Sequence, residues 1–346
     1  MVDGQKASGA RGIGQSSHRD IRKYLIKLNI IVTGGAGFIG SHVAEQLALQ
    51  GHAVRVVDAL TDTYCTALKL HNLRQLQDRG IAFVKADLAA DDLATAVAGT
   101  EFVFHVAGQP GINNQLSSAV FARNNVLATQ RLLNALVKPD ALRGFIYVST
   151  SSVYGADACG DESSVTAPTS DYGVSKLVAE RLVLRHATDH GLRACALRLY
   201  SVYGPRERPE KLYMRLIGSL LEDRPFPLFD GSLDHLRSYT YVDDVVAGLI
   251  AAMHHIERCA GEIFNLGTAT ATSTRDAIST AETLLGKRAR LVATPHRAGE
   301  QRRTHANIDK AQRYFGYAPR TPLEAGLAQQ IAWYRRVVHG RLQLWQ

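Results

Sequence analysis

The sequence predicts an α/β protein built on a doubly wound parallel sheet, with a smaller C-terminal substrate-binding region covering the sheet's carboxyl edge. Three observations carry this expectation. Short apolar strands alternate with helical stretches as far as Leu199, the pattern of parallel strands joined by right-handed crossovers. A glycine-rich turn follows the first strand and opens the first helix. Beyond Tyr203 the alternation fades into loop chemistry, Gly204-Pro-Arg-Glu-Arg-Pro209 and Arg224-Pro-Phe-Pro227.

The elements follow in order. Asn29–Thr33 is a short buried strand, and Gly40–Gln50 reads as a helix. Val54–Asp58 is a second strand, 64–79 a helix and Ile81–Val84 a third strand. Leu93–Ala98 is a short helix, Glu101–His105 a fourth strand and 116–137 a long helix. Strand Gly144–Ser149, helix Tyr172–His190, strand Ala194–Leu199 and an apolar helix Val245–Met253 complete the regular part. The expected division is a disordered leader, 1–27, and a nucleotide-binding domain, 28–204, to which 241–266 returns. A substrate-binding region is expected over 205–240 and 267–346.

With 46% hydrophobic and 21% charged residues in 346, the composition is that of a globular chain large enough to bury a core without staples. The formal charge is +8, and half of it lies in residues 1–29 through Lys6, Arg11, Arg19, Arg22, Lys23 and Lys27 against Asp3 and Asp20. The body is therefore mildly basic, which suits a phosphate-bearing substrate and carries no nucleic-acid footprint. Asp3 and Asp20 also argue for a polar leader rather than an acid-poor transit peptide. No apolar run reaches the roughly 18 residues of a membrane span. Cys65, Cys159, Cys195 and Cys259 form no C-x-x-C pair and read as reduced thiols of a cytoplasmic protein. His254-His255 have no carboxylate or Cys partner at ligand spacing, so they read as a surface helix end and no metal is expected.

The turn Val32-Thr-Gly-Gly-Ala-Gly-Phe-Ile-Gly40 holds glycines at 34, 37 and 40. A lone glycine motif is weak, but this one sits between a strand and a helix, the context of a Rossmann dinucleotide site. There, glycines let a pyrophosphate approach N–H groups at a helix N-terminus. Asp58 ends the second strand, 18 residues past Gly40. A carboxylate there accepts from both ribose hydroxyls and repels a 2′-phosphate, which favours NAD over NADP. The bland alternatives are a ligand-free turn and a solvated strand-end Asp.

Tyr172 and Lys176 stand four apart at the head of a helix, on one face. A nearby Lys⁺ lowers a phenol's pKa from its usual value of about 10, so the pair can act as a general base. Most Y-x-x-x-K patterns are surface residues. Position decides here, because the preceding strand ends in Ser149-Thr-Ser-Ser152, a source of hydroxyls for the same reacting atom.

Together these motifs resemble the extended short-chain dehydrogenases/reductases of the nucleotide-sugar epimerase/dehydratase group. The likeness runs over residues 28–335 and is carried by Thr33–Gly40, Asp87-Leu88, Ser149–Gly155, Tyr172/Lys176, Arg198–Pro205 and Tyr239–Asp244. It implies a relay hydroxyl at Thr150, with Tyr172 and Lys176 completing the catalytic set. It implies NAD contacts at Gly34, Gly37, Phe38, Ile39, Gly40, Asp58, Asp87, Leu88, Val106, Ala107, Gly108 and Lys176. It implies a UDP-sugar diphosphate held by Arg237, with Arg303 either a second anchor or a solvated surface charge. It also implies a homodimer through the helices at 116–137 and 172–190.

The resemblance further bears on the reaction. The group's dehydratases and decarboxylases place Asp-Glu after the threonine, whereas this chain has Ser151-Ser152. That leaves reversible oxidation at C4, rotation of the 4-keto sugar and return of hydride to its other face. Asp58–Lys69, His105–Gly111 and Gly204–Pro209, with Arg208, are most similar to UDP-glucuronate 4-epimerases. In that group the residues matching Thr150, Ser151, Ser152 and Ser201 ring the uronate carboxylate. The bland alternative is that these serines satisfy backbone groups at strand ends. The chain departs from the group at Pro110, Glu300-Gln301, Asn307 and Ser201. A UDP-glucose or UDP-N-acetylhexosamine 4-epimerase, a 4-reductase and a non-catalytic NAD-binding scaffold stand as alternatives.

Overall fold

Strands buried on both faces need apolar side chains at every position. The computed structural model describes residues 26–111, 116–136, 142–295, 301–342 and 344, and the expected leader lies outside them up to position 25. Seven strands form the central sheet: β1 (Asn29–Thr33), β2 (Ala53–Asp58), β3 (Ala82–Lys85), β4 (Phe102–His105), β5 (Gly144–Thr150), β6 (Ala194–Leu199) and β7 (Ile263–Leu266). All are parallel, in the order β7-β6-β5-β4-β1-β2-β3. Successive side chains feed opposite layers. Ile30 and Val32 pack with α1 (Phe38–Leu49) and α2 (Thr66–Gln77), while Ile31 packs with Leu132, Phe145 and Val183 on the other face.

The strand order reverses between β1 and β4, so their carboxyl ends splay apart into the crevice where ligands bind in such sheets. Beyond β6 the chain builds, among other elements, the helices Leu212–Leu221, Thr274–Leu285, Asp309–Phe315 and Leu323–Val337. They are accompanied by a strand pair, Phe226–Phe229 with Leu291–Thr294, and a small sheet of paired residues. The helix Val242–His254 and β7 return to the main sheet. Among the described residues no helix is long and apolar enough to cross a membrane.

Several boundaries differ from the expected ones, and three of the differences have physical reasons. α1 begins at Phe38, two residues early, because extended Gly37 is its N-cap. The Val242 helix starts three residues before the expected Val245, since Asp243 and Asp244 in its first turn complement the helix dipole. The long helix at 116–137 is not uniform. It runs as α over Ser118–Phe121, as π over Ala122–Leu127 and as α again over Ala128–Ala135.

One buried ion pair fastens this frame. Arg198 of β6 donates through Nη2 and Nε to Glu180, at 2.6 and 3.0 Å. Glu180 lies on α3 (Asp171–His190) and also accepts from Ser149 Oγ of β5 at 2.7 Å. The two charged side chains are 1% and 0% exposed. Removing one partner strands the other charge in the core. Arg198→Met is therefore expected to cost about 3–5 kcal/mol, read as a fall in urea midpoint at constant m.

Candidate active site

A cavity of about 1420 Å³ opens at the β1/β4 switch point and runs beneath the C-terminal region. One ligand pocket usually measures about 300–1,000 Å³, so the space suits two ligands side by side. It is lined at one end by the glycine turn and at the other by Leu212–Tyr213 and Phe226–Phe229.

The glycine turn is pressed against the β4 loop. Gly34 has φ +67°, and a Cβ there would lie 2.8 Å from Ala107 backbone atoms. A Cβ on Gly40 would lie 2.3 Å from the Gly34 carbonyl oxygen. The α1 N-terminus carries no side-chain cap, so its N–H groups face the cavity for an anion. Asp58 accepts from Ala36 N at 3.1 Å and Leu60 N at 2.8 Å, which sets the carboxylate at the turn with lone pairs to spare.

Polar bonds lock the loop after β4. Thr33 Oγ1 accepts from Ala107 N at 3.2 Å and pairs with His105 Nδ1 at 2.7 Å. His105 Nε2 meets Thr129 Oγ1 at 2.9 Å, and Thr129 donates to Asn125 O at 2.6 Å. These directions make His105 a neutral Nε2–H tautomer. Burial, helped by the Lys176 charge, pushes its pKa down to about 3. The π segment turns Asn125 inward, where it accepts from Gln109 N at 2.6 Å and donates to Ser175 Oγ at 2.8 Å. Nothing in the residue pattern announced Asn125, because a π turn has no period of its own in the sequence.

Thr150, Tyr172 and Lys176 all line this cavity. Thr150 stands beside the Tyr172 phenol, close enough to favour its ionised form; its Oγ1 donates to Ser152 Oγ at 3.2 Å and caps the turn Ser151–Tyr154 by accepting from Ser152 N at 3.2 Å. Burial raises the Tyr172 pKa, while the Thr150 bond and then the Arg208 charge pull it back. The expected lowering of the phenol by Lys176 is corrected here. Lys176 Nζ donates to Val148 O at 2.7 Å and lies 4.2 Å over the Tyr147 ring. Burial brings its own pKa down to about 7, against the pull of Glu180.

All the remaining residues expected to bind cofactor or substrate line the cavity except one. Gly37, Phe38, Ile39, Val106, Gly108 and Leu88 surround its cofactor end, with Asp87 ion-paired to Arg123 at 2.7 Å. Ser151, Ser152, Ser201, Arg208 and Arg237 lie toward the C-terminal region. Arg303 is the exception and a correction. In the two-residue strand Arg303–Thr304 it is the exposed member, while Thr304 faces inward and accepts from Ser238 N at 3.1 Å. Lys211 and Arg215, at the uncapped start of the Leu212–Leu221 helix, line the same end and went unread in the sequence. Gln301 also went unread as a site residue. Among the described residues no cluster of three or more His, Cys, Asp or Glu is set to hold a metal.

The NAD-dependent epimerase/dehydratase family matches residues 30–267. YtcB of Bacillus subtilis, described as an uncharacterized UDP-glucose epimerase, is 35% identical over 318 residues, 90% of this chain and all of that protein. The UDP-glucuronic acid 4-epimerase of Bacillus cereus, solved with UDP-glucuronic acid and NAD, superposes with a TM-score of 0.85 at 33% identity. That match covers 89% of this chain and 99% of the other. MoeE5, solved with NAD and either UDP-glucuronic acid or UDP-glucose, gives 0.80 at 36% identity with the same coverage.

Gly40→Ala tests the cofactor end. Its new Cβ meets rigid backbone, a clash worth about 1–3 kcal/mol. NAD affinity, followed by titration calorimetry, is expected to fall by roughly 5- to 100-fold with the fold retained.

Proposed function

Because the chain belongs to the NAD-dependent epimerase/dehydratase family, we propose that it interconverts the 4-epimers of a UDP-hexuronate, UDP-glucuronate and UDP-galacturonate. It is an NAD-dependent nucleotide-sugar epimerase, and the hexuronate is the finer assignment. The observation that carries it is the row of neutral hydroxyls, Thr150, Ser151, Ser152 and Ser201, beside Tyr172 in the cavity wall.

The chain's residues fit NAD. Gly34, Gly37 and Gly40 leave space that a Cβ would fill, and Asp58 keeps acceptor capacity at the ribose position. We assign Phe38, Ile39, Asp87, Leu88, Val106, Ala107 and Gly108 to the same ligand. Bound NAD supplies reversible hydride exchange at sugar C4. The Tyr172 phenolate takes the 4-hydroxyl proton, directly or through Thr150, and the phenol so formed returns it to the other epimer. The Thr150 bond and the Arg208 charge both favour the phenolate. Lys176, at the junction of the two ligands, serves the relay and the cofactor. Arg208 and Arg237, with the Leu212 helix start, receive the diphosphate. Arg303, exposed on its strand, is given no part.

A 4-keto uronate is a β-keto acid. Hydrogen-bond donors around its carboxylate keep that group ionised and hold back loss of CO₂. One observation favours a neutral hexose as a second substrate: Ser151 donates its proton to Gln301 rather than to the cavity.

NMR of the purified protein with UDP-glucuronate should show UDP-galacturonate appearing. Tyr172→Phe should retain NAD and lose about 10²–10⁴ in kcat. A pentose nucleotide with CO₂ would mean decarboxylation instead, and full activity of the Phe variant would remove Tyr172 from the relay.

We also infer a cytoplasmic homodimer. Four free cysteines suit a reducing compartment. Leu127 on the π segment and Val174 and Val178, one turn apart on α3, are 43%, 47% and 42% exposed. Together they give the two helices an unpartnered apolar face. Val178→Asp is expected to shift the sedimentation coefficient from dimer to monomer.

A further inference from the structure

Gln301 sits 150 residues from the turn it holds. Its Nε2 donates to Ser151 O at 3.1 Å and Gly155 O at 2.9 Å, gripping both ends of the Ser151–Tyr154 turn. Its own carbonyl accepts from Arg237 Nη2. These bonds orient the side-chain amide, because only the nitrogen end can face two carbonyls. The amide oxygen must then face Ser151 Oγ, which lies 3.4 Å away. A hydroxyl has one proton, and here it is committed to Gln301. Ser151 therefore presents lone pairs to the cavity it lines. Ser152 is the opposite case. Its oxygen accepts from Thr150 at 3.2 Å, which leaves its proton for a ligand.

The sugar subsite thus pairs an acceptor, Ser151, with a donor, Ser152. A 6-hydroxymethyl group, both donor and acceptor, satisfies both residues. A 6-carboxylate accepts only, so it is served by Ser152 and meets the lone pairs of Ser151. We propose that Gln301 is a specificity-determining residue: by holding the Ser151 proton, it weakens selection for the 6-carboxylate and admits the neutral UDP-hexose. This rests on the UDP-sugar 4-epimerase reading above and goes beyond it by naming what tunes the sugar.

The test compares kcat/KM for UDP-glucuronate and for UDP-glucose in the full chain, wild type against Gln301→Met. Methionine fills the same space and accepts the Ser151 proton only weakly. Release of that proton to the carboxylate adds one hydrogen bond to a charged group, so the uronate-to-hexose ratio is expected to rise about tenfold to a hundredfold. A purely structural role, holding the turn, would lower both activities together, and an unchanged ratio overturns the proposal. Gln301→Glu serves where the Met variant fails to fold. It still accepts from Ser151 and adds a negative charge beside C6, so the ratio should fall at least tenfold, and an unchanged ratio again overturns the proposal. If the wild type turns over neither sugar, the epimerase reading itself fails. Turnover of both sugars with no change in ratio sinks the Gln301 role alone.

Discussion

The relation between Thr150 and the Tyr172/Lys176 face depends on the buried Arg198–Glu180 pair. Ser149 and Arg198 are register partners on β5 and β6, and both bond Glu180. Glu180 lies one turn beyond Lys176 and two beyond Tyr172, on the same side of α3. A slip of α3 by one turn would carry Tyr172 about 5.4 Å from Thr150 and leave both core charges unpaired. An apolar filling of the same volume could equal the pair in stability. Only directional bonds to a neighbouring strand fix which turn of α3 faces Thr150. The same carboxylate is also the charge that supports protonation of buried Lys176.

A second constraint brings the C-terminal region over the cofactor end. Arg206 donates to Ser41 Oγ at 3.3 Å and to Glu45 at 2.7 Å, tying the 204–211 loop to α1. Arg206 adopts φ +66° to do so, and Leu60, on the opposite loop, adopts φ +53°. Left-handed backbone is costly for such residues, and both sit in loops that border the cavity. The strain at Arg206 is held by its two side-chain bonds, while Asp58 accepts from Leu60 N. Arg208 then stands inside the cavity, near enough for its charge to act on Tyr172.

The sheet and the cofactor end were legible in the sequence because their causes are local. A strand buried on both faces is an apolar run, a tight turn under a helix needs glycine, and i, i+4 spacing puts Tyr172 and Lys176 on one face. What escaped depends on distance or on a choice between neighbours. Gln301 acts on residues 150 positions away. Arg303 and Thr304 are adjacent, and only the strand's pairing with Leu236 and with Asp157 and Ala158 decides which faces inward. Lys176 was expected to act on the phenol directly. The spacing gave the face, but the Val148 carbonyl and the Tyr147 ring, which take up the ammonium, lie on β5, across from α3.

The chemistry is finally limited by where acids stand. Expelling a 6-hydroxyl needs an acid beside the sugar's C6, and the residues following Thr150 are serines. Among the described residues the carboxylates that line the cavity are Asp58, Asp62, Asp87, Glu207 and Glu210. Asp58 and Asp87 belong to the cofactor end, and Glu210 is paired with Arg208. Burial pushes the Glu207 carboxyl up to about 7. It accepts from Gln330 at 2.7 Å, on the Leu323–Val337 helix, and not from the Thr150–Ser152 turn. With serines and no acid after Thr150, no donor stands there to expel a 6-hydroxyl, and the step left to a 4-keto sugar is return of hydride to C4 on its other face.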